Sequence, residues 1–348
     1  MLFIRTPKFG AMPKGQRLSY MQQAANYKNG AFQNEEDTPV LPEGQTYGGL
    51  IKYMFFTPNV NPKPTATLHS KKTDLVNLNP ATDTIVWFGH SSYFMQVAGK
   101  KILVDPVFSG AASPIKFTTP SFPGSDVYTV DDMPSIDYLF ITHDHWDHMD
   151  YETVLKLKPK VKKIITSLGV GAHLERWGFA PGTFIETNWG DKAELETGFT
   201  VNNTSARHFS GRGFKRAQSV WSSFVLTTPT KKIFIGGDSG YGPHFKRIGQ
   251  EFGPFNIAIL ECGQYDTHWK HIHMMPEQTV QAAKDLNAEW LMPVHWAKFR
   301  LAKHAWNDSI KRVTVAAKQA NLPVITPMIG EQVEMDKPIT GAWWEQMG

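Results

Sequence analysis

Cysteine is nearly absent: Cys262 is the single thiol in 348 residues. One thiol can build neither an internal disulfide framework nor a thiolate metal cage, and it fits a reducing compartment. Long apolar runs are missing too. The opening Met1, Leu2, Phe3, Ile4 is cut short by Arg5 and Lys8, so it lacks the apolar centre of a signal peptide. No stretch approaches the roughly 20 apolar residues that span a bilayer. Charge of one sign is scarce as well. Thirty-six basic and 32 acidic residues leave a net +4, and no run of five like charges marks a nucleic-acid arm. These absences predict a cytoplasmic or membrane-peripheral protein with no nucleic-acid partner, and they leave its oligomeric state open.

What is present suits a globular chain, with 41% hydrophobic and 20% charged residues. Residues 1–80 are rich in Pro, Gly, Asn and Gln, with Pro58, Pro62 and Pro64 close together, and predict an extended, partly ordered arm. From Thr84 the pattern changes. Two β-rich runs, Thr84 to Phe88 and Tyr93 to Val97, flank Gly89, His90, Ser91 and Ser92, and a third, Lys101 to Val104, ends in Asp105. Strand-like and helix-like stretches then alternate, through Tyr138 to Thr142, a helix from Tyr151, Ile164 to Ser167 and Phe184 to Thr187. The second half continues with Phe199 to Ser205, Trp221 to Thr227, Lys231 to Ile235, Ile257 to Leu260, a helix from Pro276 to Leu286, and Trp290 to Pro293. Sheets covered by helices follow, so residues 81–348 are expected to form one α/β catalytic domain.

The segment His143, Asp144, His145, Trp146, Asp147, His148 sits directly after a predicted strand. Clustered ligand-type groups at a strand end need partners that a core seldom offers, and a metal supplies them. His143 and His145 share a side because side chains alternate in extended backbone. Asp147 and His148 fall where the chain turns toward a helix, placed for a second ion. A zinc ion wants about four N, O or S ligands, so more must come from elsewhere. His208, Asp238 in Gly-Gly-Asp-Ser-Gly, and His295 each follow a predicted strand.

This set resembles the metallo-β-lactamase superfamily, whose signature is HxHxDH with a later His, Asp and His. The resemblance covers roughly residues 84–329 and implies an αββα sandwich with two metals at one edge. Trp87 to Ser92, Asp105 to Ser109, the string HMMPEQTV from His273 and PVHWAKF from Pro293 are similar to the N-acyl-phosphatidylethanolamine phospholipase D and ascorbate-6-phosphate lactonase group. Carried over by position, His143, His145 and His208 would bind one metal, Asp147, His148 and His295 the other, and Asp238 would bridge them. The implied cofactor is a zinc pair, with manganese or iron compatible by residue type. The implied activity is phosphodiester hydrolysis of a small-molecule or lipid ester by metal-held hydroxide, with Asp147, Asp238 and His273 as catalytic candidates. Two zinc ions less Asp147, Asp238 and one hydroxide leave a net positive centre suited to an anionic substrate.

Asp105 is expected to orient a ligand histidine. His90 and His273 are candidates for substrate contact or general acid, weighed equally against hydrogen-bonded structural histidines. Arg212, Lys215 and Arg216 read as a solvated loop in preference to a phosphate grip. Cys262 reads as an ordinary buried thiol. A lactonase on the same metal centre is the rival within hydrolases, and a diiron oxidoreductase is the rival from another class.

Overall fold

The computed structural model describes residues 3–347. Its first 80 residues are less extended than their composition suggests. They form helix α1 (Gly15–Gln22), a hairpin of β1 (Tyr27–Lys28) and β2 (Ala31–Phe32), and helix α2 (Tyr47–Phe56). None has a long periodic face, so local pattern does not announce them. Contacts to distant residues hold them instead: Met21 and Phe32 are buried with Leu168, Val220 and Trp221.

The domain proper opens with β3 (Thr84–Trp87), β4 (Tyr93–Val97) and β5 (Lys100–Val104), an antiparallel meander. Three parallel additions follow, β6 (Ile136–Ile141), β7 (Val161–Ser167) and β8 (Phe184–Thr187), with helices α3 (Tyr151–Leu157) and α4 (Gly171–Arg176) in the crossovers. Period-two alternation decides which face each residue serves. Ile102 and Val104 join the core shared with the second sheet, whereas Leu103 joins Leu139, Ile141, Val154, Leu157 and Leu174 under the helices.

The second sheet runs β9 (Lys192–Glu196), β10 (Phe199–Ser205), β11 (Ser222–Thr227), β12 (Lys232–Ile235), β13 (Phe255–Glu261) and β14 (Ala288–Val294). Its first four strands are antiparallel and its last two pairings parallel. Helices α5 (His244–Phe252), α6 (Pro276–Asp285) and α7 (Asp308–Gln319) bring Phe245, Val280, Ala283, Ile310 and Val313 into the large core. A final strand, β15 (Gln332–Glu334), crosses back and pairs antiparallel with β3, which completes a seven-stranded and a six-stranded sheet. The layers are helix, sheet, sheet, helix, as expected for an αββα sandwich. Among the described residues no helix is long and apolar enough to cross a membrane.

The Trp-rich composition goes mostly to the core. Trp87, Trp296, Trp343 and Trp344 are buried, with Trp296 ring centroids 5.2 Å from Trp87 and 5.4 Å from Trp343. Cys262 is buried as well, and burial pushes its thiol well up from the usual range.

Candidate metal centre

Strand ends aim the site. The loop 142–150 leaves β6 and enters α3, and within it His148 and Met149 both donate backbone N–H to the His145 carbonyl. Alternation along the loop then separates two jobs. His143 and His145 turn inward, while Asp144 turns outward to His173 Nε2 (3.1 Å) and the Gly211 amide (2.6 Å). His173 Nδ1 accepts from Ala11 N, so Nε2 carries the proton given to Asp144. Burial alone would raise Asp144, but His173 and nearby cations hold it down to about 2.

Gly236 and Gly237 bring Asp238 close. A Cβ on Gly236 would lie 2.7 Å from the Ile259 carbonyl, and one on Gly237 2.8 Å from the Ser222 carbonyl, with Gly237 at φ +61. Only glycine fits there. His90, Asp105 and His295 also adopt positive φ (52, 40 and 71) without being glycine. Such backbone costs of order 1 kcal/mol each and is held only where surroundings over-determine it. The surroundings here include paired backbone bonds, His90 N to the Trp296 carbonyl (2.8 Å) and His295 N to the His90 carbonyl (2.9 Å).

All seven ligand candidates converge. His143 Nε2 lies 3.0 Å from His145 Nδ1, which lies 3.2 Å from His208 Nε2. Asp238 Oδ2 stands 3.8 Å from His143, 3.7 Å from His208 and 3.1 Å from His148, and its Oδ1 is 3.3 Å from His295 Nδ1. His148 Nε2 is 3.5 Å from Asp147 Oδ2. Three overlapping groups result, His143, His145, His208 with Asp238, His90, Asp147, His148 with His295, and Asp238, His273 with His295, each with its ligand atoms within 4.8 Å of one another.

The donor set fits a cation pair. Three imidazole nitrogens facing one point cannot all be satisfied by shared protons. His148 Nε2, His295 Nε2 and Asp238 Oδ1 are buried with no hydrogen bond at all. Unmet buried polar atoms are costly, and a metal ion satisfies them together. Burial drives His143, His208 and His295 well below the ordinary imidazole value and leaves them neutral, whereas at His148 burial is outweighed by Asp238, Asp147 and Asp105, which raise it well above. Burial opposes the charge on Asp238, yet the surrounding imidazoles, His148 foremost, keep it ionised well below the usual carboxylate range.

A ring of supports surrounds the ligands. Asp105, buried, accepts from His148 Nδ1 (2.8 Å), Thr142 Oγ1 (2.6 Å) and Thr142 N (2.9 Å). Ser91 Oγ contacts His295 Nδ1 (2.9 Å), and His208 Nδ1 donates to the Ile272 carbonyl (2.9 Å). From the arm, Asn34 brackets His208, accepting from its N–H (3.0 Å) and donating to its carbonyl (2.8 Å). Sequence pattern carries no sign of Ser91 or Asn34 in these roles. For Glu261 a signal existed, an acid inside the apolar run Ile257 to Cys262. Burial lifts its carboxyl to about 7, although His273 pulls the other way.

Two expectations need correction. His90 does not face substrate: it is fully buried and its Nε2 bonds Asp147 Oδ2 at 2.9 Å. Nor is Arg212 on a solvated loop. It is buried, caps the Asp144, Met149 and Lys8 carbonyls, and lies 3.8 Å over the Trp146 ring. Arg216 alone of that basic trio reaches the mouth, a cavity of about 260 Å³ lined also by His145, Asp147, Asp238, His273, Val40 and Leu50.

The fold and this centre define a metal-dependent hydrolase. Residues 100–296 match the beta-lactamase superfamily domain, and the chain belongs to that superfamily. Within it the protein stands near the N-acyl-phosphatidylethanolamine phospholipase D-like group. An uncharacterised protein of Mycobacterium tuberculosis is 33% identical over 328 residues, covering 93% of this chain and 88% of its own. The N-acyl-phosphatidylethanolamine-hydrolyzing phospholipase D 1 of Caenorhabditis elegans is 28% identical over 226 residues, 61% of this chain and 63% of that one. Among solved structures, Igni18, a metallo hydrolase from Ignicoccus hospitalis, is 24% identical, covers 73% of this chain and 98% of its own, and superposes with a TM-score of 0.55.

Proposed function

We propose that the protein is a two-metal phosphodiesterase acting on an anionic small-molecule or lipid ester. The observation that carries this reading is the convergence of five imidazoles and two carboxylates, among which His148 Nε2, His295 Nε2 and Asp238 Oδ1 are buried without a hydrogen bond. His143, His145 and His208 would hold one ion, Asp147, His148 and His295 the other, with Asp238 between the two groups. Two bound zinc ions would supply Lewis acidity at the phosphoryl oxygen and water acidified to a pKa of about 7. Everything else falls to the chain. Asp147, fixed by His90, accepts the proton of the attacking water. Arg216, packed 4.6 Å over Phe209 and without a carboxylate partner among the described residues, binds the phosphate. Val40, Leu50, Phe209, Trp269 and Leu301 offer an apolar wall to an alkyl or acyl substituent. The phospholipase D relatives support the choice of a phosphodiester over a lactone.

Elemental analysis is expected to give close to two metal equivalents. Asp238→Asn and His145→Ala should abolish hydrolysis with the fold retained by circular dichroism. The substrate test is a panel of bis-p-nitrophenyl phosphate, N-acyl-phosphatidylethanolamine and a simple lactone. Turnover of the lactone alone would overturn the phosphodiesterase reading.

A further inference from the structure

Glu261 ends β13 with its side chain wholly buried. A carboxylate in that position needs a reason, because removing it from water is expensive. It is none of the seven converging residues, and its sole ionic partner among the described residues is His273. Oε1 accepts from Met274 N (2.7 Å) and lies 3.5 Å from His273 Nδ1, while Oε2 has no hydrogen bond.

His273 connects this buried acid to the chemistry. Its ring lines the mouth beside Asp147 and Asp238, with the His208 and His295 ring centroids 5.0 and 5.2 Å away. Nδ1 is buried without a hydrogen bond, 3.5 Å from Glu261 Oε1, so Nε2 is the nitrogen left to the cavity. A carboxylate behind an imidazole fixes the ring's orientation and tautomer and favours proton delivery from the far nitrogen. Met274 N, next in the chain, donates to the same Oε1 and holds the carboxylate beside the His273 backbone.

We propose that Glu261 is a positioning residue that holds His273 with Nδ1–H toward the carboxylate and Nε2 toward the leaving oxygen of the substrate, so that His273 protonates the departing alcohol. The inference rests on the phosphodiester reading above. In the step, the water oxygen forms a bond to phosphorus and its proton passes to Asp147. The bond from phosphorus to the leaving oxygen breaks with its electron pair, and the Nε2 proton of the His273 imidazolium moves to that oxygen, leaving the neutral ring with Nδ1–H toward Glu261. The products are a phosphomonoester and an alcohol.

A proton donor matters in proportion to the basicity of the leaving group: p-nitrophenoxide departs unaided, an alkoxide does not. Zinc-loaded wild type, Glu261→Gln and Glu261→Asp are compared on bis-p-nitrophenyl phosphate and on an ester with an alkyl leaving group, with zinc content measured in parallel. For Glu261→Gln, kcat is expected to fall at least about tenfold more on the alkyl ester than on the nitrophenyl ester, a part of the roughly 100-fold or more that a general acid contributes. KM and zinc content should hold, and Glu261→Asp should recover part of the loss. Equal losses on both esters, or loss of zinc, would overturn the proposal. Imidazole ¹⁵N spectra of the zinc-loaded wild type test the pairing without substrate. A protonated His273 Nδ1 supports it and a bare Nδ1 refutes it. Should wild type cleave neither ester, the phosphodiester reading falls, while the spectra still decide whether Glu261 orients His273.

Discussion

Asp105→Asn should weaken one metal site and spare the other. The carboxylate makes three hydrogen bonds, and the one to His148 Nδ1 (2.8 Å) fixes the ring whose Nε2 faces the second ion position. Asparagine is the right replacement because Asp105 sits at φ +40, a region asparagine tolerates and alanine does not. The Asn oxygen can keep the bond from Thr142 N, which leaves an amide NH₂ facing the His148 N–H. Donor then meets donor, and the imidazole loses the partner that set its tautomer. Loss of such a support costs about 10–100-fold in metal affinity, or about 1.4–2.7 kcal/mol. No comparable bond links Asp105 to His145 or His208; its route to the first site is indirect, through Thr142 Oγ1 to His143 Nδ1 (3.0 Å). Competition with a zinc-binding dye should therefore resolve one equivalent with near-wild-type affinity and one weakened by the factor above, with activity recovering at raised zinc. Equal weakening of both equivalents, or of neither, would refute the assignment of Asp105 to the His148 side.

The arm should prove energetic as well as covering. Asn34→Ala leaves the His208 N–H and carbonyl without this partner and removes one of the two acceptors of Trp221 Nε1, and is expected to cost about 1–3 kcal/mol in urea denaturation, with reduced zinc occupancy. Arg216→Ala should raise KM for an anionic ester about tenfold, about 1.4 kcal/mol, with a smaller effect on kcat; an unchanged KM would remove Arg216 from phosphate binding. Burial, aided by Arg247 and Arg207, lowers His244 to about 3. The unfolded imidazole takes a proton near pH 6.5 and the folded one resists until about 3, so stability falls as pH drops through that window by up to about 1.4 kcal/mol per pH unit. His244→Gln should flatten the decline in unfolding free energy between pH 6 and 4; an unaltered slope would refute it.

Strands with buried, β-branched or aromatic faces were legible from pattern alone: Tyr93–Val97, Phe184–Thr187 and Phe199–Ser205 fall at the expected bounds. Edge strands were not. In Lys192–Glu196 charged residues occupy alternate sites because its outer face meets solvent, and Gln332–Glu334 is strand only by virtue of pairing with β3. Helix α5 hid behind Gly249, a poor helix former required there because a Cβ would come 2.0 Å from the Asp285 carbonyl. Helix α7 was legible in principle, since Ile310, Val313 and Ala317 carry the periodic buried face. At the site, residue type and placement after strands were enough to pick out the seven converging side chains. Their supports were opaque, because Asn34 meets His208 across 174 positions and Ser91 meets His295 across 204.

The return of β15 to β3 bears on how the chain is made. Thr84, Ile85, Val86 and Trp87 are buried, yet the outer hydrogen-bonding groups of β3 find their antiparallel partner only at Gln332–Glu334. While the ribosome is still producing the intervening segments, that apolar edge stands open and able to template pairing with another nascent chain. Ribosome stalling or a premature stop shortly before Gln332 should therefore yield aggregates rather than a trimmed enzyme.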